Sequence, residues 1–137
     1  MASRPRVVTL VAVFLSLAAV VAVIASASLL VPGALSHRLW ALNPPAHTAF
    51  AAMGRASSFL LLGVAVAAAL AAAGLMRGWP WAWWLSQGIF AANALGDLVN
   101  LLLTRNWIHS GAGLLVGGVF LMLLLRADVR LFFAAHG

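Results

Sequence analysis

Four apolar runs, about residues 7–31, 48–76, 82–104 and 107–125, leave this chain few ways to fold. An α-helix rises about 1.5 Å per residue, so roughly 20 residues cross the ~30 Å hydrocarbon core of a bilayer with every backbone hydrogen bond kept internal. Each run is long enough, or nearly so, to do this. Only 7% of the 137 residues are charged, against about 25% in a soluble domain. The expectation is an all-α integral membrane four-helix bundle, one domain over residues 1–137, with the lipid bilayer as its surroundings.

The breaks between the runs carry their own signals. Met1-Ala2-Ser3-Arg4-Pro5-Arg6 is a basic head. With Ala25-Ser26-Ala27 it also fits a cleaved secretory signal, but the apolar run is long for one and is assigned as the first span. Pro32-Gly33 stops that span and Asn43-Pro44-Pro45 leads into the next, because a residue before proline is pushed out of the α region. Between them Leu35, Leu39 and Leu42 recur at helical spacing beside His37, Arg38 and Trp40. That pattern predicts a short interfacial helix between helices 1 and 2, with a solvated loop as the alternative. Arg77-Gly78-Trp79-Pro80 predicts a tight turn. Trp79, Trp81, Trp83 and Trp84 around it suit the headgroup level, where indole keeps an apolar body and a wet N–H. An aromatic cage for a cation is the sharper reading of that cluster.

Arg105-Asn106 is so short a link that the third and fourth helices are expected to run antiparallel as neighbours. Gly113 and Gly117 frame a G-x-x-x-G and, with Gly96 on the third span, are the candidate helix-packing glycines. The tail from Arg126, with Asp128, Arg130, Leu131, Phe132 and Phe133, reads as an interfacial segment.

Eight Arg, no Lys and two acidic residues give a formal net charge of +6. The arginines sit singly at the ends of the apolar runs, which suits anchoring and not a stripe along a phosphate backbone, so no nucleic acid is expected. With four spans, Arg4, Arg6, Arg77, Arg126 and Arg130 fall on one side and Arg38 and Arg105 on the other. The positive-inside rule then puts both termini in the cytoplasm of a protein integral to the cytoplasmic (inner) membrane. The absence of Cys removes disulfides, thiolate metal sites and thiol nucleophiles.

Asp97 is the one acidic residue inside an apolar run, and on a helix it shares a stripe with Asn93, Gly96, Asn100 and Thr104. That face is expected to look inward, since polar groups in lipid are costly without partners. Arg55, about seven residues inside the second span, and Asp97, about seven before the end of the third, share an expected depth of ~10 Å below the outer interface. Ser58 follows Arg55 on nearly the same face, and His109 opens the fourth span. Asp97, Arg55, Asn93, Asn100, His109 and Ser58 are therefore the candidate ligand- or ion-binding set. They form either a structural ion pair of Arg55 with Asp97 or a pocket for something small and polar. His47 and His109 begin neighbouring spans and are the residues haem would use, but no H-x-x-x-H or H-E-x-x-H spacing occurs, so no metal and no cofactor is predicted.

No nucleophile–base arrangement is recognisable, which leans against an enzyme. The expected function is a subunit or small-ligand-binding module of a membrane assembly, packing its Gly and Ala faces as a homo-oligomer or within a larger complex. A small proton- or cation-linked transporter using Asp97 and Arg55 is the alternative, and a membrane-embedded enzyme using Asp97 and His109 comes third. In size and helix count the chain resembles small bacterial multidrug carriers and fluoride channels. It has no Glu for the first, and Gly54 to Gly63 only echoes the glycine-rich signature of the second, so no residue role is carried over.

Overall fold

The computed structural model describes residues 3–31 and 33–137, with the backbone alone for residues 34–36. Met1 and Ala2 of the basic head, Pro32 of the expected helix stop and the side chain of Leu35 lie outside the described residues. Among the described residues no strand occurs and seven helices follow one another: α1 (Arg6–Leu30), α2 (Ala34–Trp40), α3 (Pro44–Ala52), α4 (Arg55–Arg77), α5 (Pro80–Thr104), α6 (Trp107–Leu124) and α7 (Ala127–Ala135). Of these, α1, α4 and α6 are long and apolar enough to cross a membrane. Helix α5 matches α1 in length but is more polar, because Gln87, Asn93, Asp97 and Asn100 lie along it.

The stretch expected as one second span, 48–76, is divided. Helix α3 ends at Ala52, and Gly54 takes a φ of +65°, a left-handed conformation that no helix interior accepts. A new helix then begins at Arg55. Arg55 thus opens a helix in place of lying about seven residues inside one, and the expected equality of its depth with that of Asp97 loses its premise. Helix α3 has its own start: Asn43 accepts the Ala46 N–H at 3.3 Å, Pro44 sits in the first turn, and none of its residues is buried. Two short helices, α2 and α3, therefore occupy the interval where one was expected.

The chain forms two compact units, Met1–Leu15 with Leu70–Gly137, and Ser16–Ala69. In the first, the antiparallel pair α5 and α6 makes the most extensive packing. Arg105 turns the chain at φ 53° with its N–H on the Leu101 carbonyl, and Asn106 accepts the His109 N–H at 3.4 Å to start α6. A Cβ added at Gly117 would stand 3.4 Å from that of Ala94, so the glycine sets how closely the two helices approach. Helix α7 buries Val129, Phe132 and Phe133. The Trp83 indole donates to the Leu124 carbonyl at 2.9 Å, satisfying a group that the end of α6 leaves open. Large apolar side chains on the other faces stay exposed, Ile108 at 80% and Met122 at 74% among them.

In the second unit Ser26 Oγ donates to the Ser58 carbonyl at 2.8 Å, and Ala19, Ala22, Ala65 and Ala68 are buried. The Trp40 indole donates to Ser28 Oγ at 2.8 Å while its ring stacks on His47 at 5.1 Å.

Helix α4 ends in a Schellman turn. Gly78, at φ +75°, donates its N–H to the Leu75 carbonyl, and the Trp79 N–H reaches the Gly74 carbonyl at 2.9 Å. Pro80 then starts α5 with its φ already helical. A Cβ at position 78 would also meet the His136 ring at 3.2 Å. Gly78→Ala is expected to lower stability by about 1–2 kcal/mol, the cost of a left-handed L-residue. Gly63→Ala, helical and with nothing near its Cβ, should leave stability equal or raise it. Thermal unfolding of the two variants in the same detergent checks both expectations.

Candidate functional site

The polar stripe of α5 is built by spacing alone. Asn93, Gly96 and Asp97 stand on one helix face and line a cavity of about 560 Å³ in the first unit. Its opposite wall is Ala112, Gly113, Val116 and Gly117 of α6, and Phe14 and Phe90 close one end. Phe14, Phe90 and Phe120 form an aromatic trio, with Phe90 and Phe120 stacked at 5.0 Å and Phe14 and Phe120 at 4.4 Å. The cavity is therefore apolar at one end and carries a carboxylate and a carboxamide along its side.

Asp97 is seated by an absence on the facing helix. A Cβ built at Gly113 would fall on the Asp97 carboxylate, so the glycine leaves room for it between α5 and α6, and a larger residue would make the carboxylate shift. The carboxylate has no hydrogen-bond or ion-pair partner among the described residues of its unit, where the ion pair is Arg126 with Asp128 at 3.1 Å. Asn93 is likewise without a partner among them and is exposed. These are the groups a bound molecule or a covering helix would meet.

The remaining candidates are not among the residues lining this cavity. Asn100 donates to the buried Ser110 Oγ at 2.7 Å and joins α5 to α6 one turn nearer the link. His109 is exposed, with its Nδ1 3.4 Å from Asn106 Oδ1 at the start of α6. Arg55 and Ser58 belong to the second unit, where Arg55 is exposed at the start of α4 and Ser58 Oγ is buried without a hydrogen-bond partner among the described residues. His47 is in that unit too, beside a cavity of about 220 Å³ that it lines with His37 and Ser28. No group of three or more potential metal ligands occurs among the described residues. Gly96, expected to pack helices, faces open space.

Reading the sequence by polar residues missed the apolar half of the cavity. Phe14 and Phe90 are ordinary members of apolar runs, and nothing in their spacing marks them as a wall. Ser110 was within reach, since an Asn five residues before a two-residue link and a Ser four residues after it lie at similar heights on an antiparallel pair.

No family model, curated protein or solved structure matches the chain.

If Gly113 is what makes room for the carboxylate, Gly113→Ala should cost about 1–3 kcal/mol by overpacking. The same change in an Asp97→Ala background should cost clearly less, a coupling that a double-mutant cycle of unfolding free energies in detergent would measure. Equal costs in the two backgrounds would mean that the carboxylate does not occupy that place.

Proposed function

We propose that the chain is an integral membrane protein with four crossing helices, α1, α4, α5 and α6, and that it works as a small-ligand-binding module or subunit of a membrane assembly. One observation supports this most. Asn93 and Asp97 open on a cavity whose lining holds no basic residue, and Asp97 has no ion-pair partner among the described residues, on a helix that three strongly apolar helices accompany through the chain. An acidic side chain facing lipid near a helix centre costs about 2.5–3.5 kcal/mol. A ligand, enclosed water or the helix of a second protein removes that cost, and acyl chains do not.

In this reading Asp97 and Asn93 contact the ligand, Gly113 and Gly117 hold α6 close to α5, and Asn100 fixes the register through Ser110. Both termini face the cytoplasm of the inner membrane. With Arg55 at a helix end, the count supporting that orientation becomes Arg4, Arg6, Arg77, Arg126 and Arg130 against Arg38, Arg55 and Arg105. The reading includes no cofactor. A Soret band on the purified protein would instead favour a haem-binding reading.

The lack of native cysteine makes a clean test possible. Asn93→Cys, in protein reconstituted into liposomes, is expected to react with a small water-soluble methanethiosulfonate, or to form a disulfide dimer if a second copy covers the position. Leu103→Cys, at a residue 79% exposed, gives the behaviour of an apolar outward position. If the two variants behave alike, the proposal fails.

A second reading, a proton- or cation-linked transporter, draws on the same free carboxylate, because a carrier must leave its acid available to load and unload. It predicts gradient-driven uptake by liposomes holding this chain alone and loss of that uptake in Asp97→Asn. Arg55, exposed at a helix start in the other unit, has no observed part in it.

A further inference from the structure

A second cavity, of about 660 Å³, lies in the same unit at the start of α5 and beneath α7, away from Asp97. Pro80, Trp83, Trp84, Arg130, Leu131 and Phe133 are among its walls. Two of these apolar walls stay open to the surroundings, Trp84 at 66% and Leu131 at 69% exposed, whereas Phe133 is buried and stacked against Trp83. The groove thus has a fixed floor and an exposed apolar lip, with one guanidinium on it.

Three other guanidiniums of the unit are already engaged. Arg126 pairs with Asp128 at 3.1 Å, Arg77 lies over the Trp79 ring at 4.9 Å, and Arg4 donates to the Met76 carbonyl. Arg130 has no partner among the described residues. Pro80 is the first residue of α5, and Leu124, whose carbonyl Trp83 caps, is the last of α6. The groove is therefore level with the ends of two long helices, one of them apolar enough to cross a membrane. In a bilayer that is the headgroup level, where an occupant offers a charged phosphate and an acyl chain side by side.

We propose that this groove binds an anionic phospholipid, its phosphate on Arg130 and the upper part of an acyl chain along Trp84 and Leu131. The charge is complementary and the apolar lip matches a chain, whereas free phosphate would leave Trp84 and Leu131 uncovered. Asp128, the second acidic residue of the chain, is neutralised by its pair with Arg126 and is not among the groove's lining residues. The proposal is independent of what the Asp97 cavity holds.

The test titrates the full-length protein in detergent with phosphatidylglycerol or phosphatidylcholine and reads the first bound lipid by native mass spectrometry. Phosphatidylglycerol should bind about fivefold tighter, the increment expected of one arginine at a lipid surface. Arg130→Gln should erase that preference. Arg38→Gln, which removes one charge from the other unit, should keep it. An equal loss in both variants would mean a diffuse effect of net charge and would overturn the site. Displacement of the lipid by millimolar inorganic phosphate alone would overturn the assignment to lipid. If Arg130→Gln does not fold, bromine-labelled acyl chains decide: brominated phosphatidylglycerol should quench wild-type tryptophan fluorescence more than brominated phosphatidylcholine, and Trp84→Phe should reduce the difference to what Trp83 contributes, with Trp83→Phe/Trp84→Phe abolishing it. A difference undiminished in Trp83→Phe/Trp84→Phe places the lipid elsewhere.

Discussion

If α5 crosses a bilayer, as proposed, the carboxylate it carries has to be surrounded by something other than hydrocarbon, and that requirement bears directly on the α5–α6 pair. Asp97 does not meet it by pairing with a base in that unit. It lies against Gly113 of the facing helix, at a place where any Cβ would collide with it, and beside Asn93 on the edge of a cavity closed by Phe14 and Phe90. The antiparallel packing of α5 on α6 follows from the two-residue link, from Gly117 against Ala94 and from the Asn100–Ser110 hydrogen bond. Those contacts hold the carboxylate where it is, and the proposed function depends on what then comes to meet it.

Much of this was legible in the sequence because apolar length and glycine spacing are direct consequences of helix geometry. The three most apolar helices, the tight Arg77–Pro80 turn and the short Arg105-Asn106 link follow from residues that allow little else. The division of the expected second span was harder to see. Phe50, Ala51, Ala52 and Met53 continue an apolar run without interruption, and only the backbone conformation of Gly54 shows that the helix stops there. A glycine inside an apolar run is equally compatible with helix and with break, so hydropathy does not separate the two. The consequence was large, since the matching of Arg55 to Asp97 rested on a depth counted along an unbroken helix.

The site was legible on its polar side only. Asn93, Gly96 and Asp97 declare themselves by spacing, but a cavity is also made of what does not fill it, and an apolar wall in an apolar protein has no mark of its own. The same holds at the other end of the unit. The Trp cluster and Arg130 are visible as interfacial residues, while the pairing of Arg126 with Asp128, which leaves Arg130 without a partner among the described residues, is a fact of geometry. Sequence spacing can show which side chains share a face. It does not show which of them are already engaged.

The most direct test of the account is where the Asp97 carboxyl carbon lies in a bilayer. The chain contains only two aspartates, so ¹³C-aspartate labelling with Asp128→Asn leaves a single side-chain carboxyl signal for solid-state NMR in liposomes. The account predicts a short-range correlation from that carbon to the Gly113 Cα, together with magnetisation transfer from water, a bound ligand or a second, differently labelled copy. Correlation to lipid acyl CH₂ groups, with none to Gly113, would contradict it.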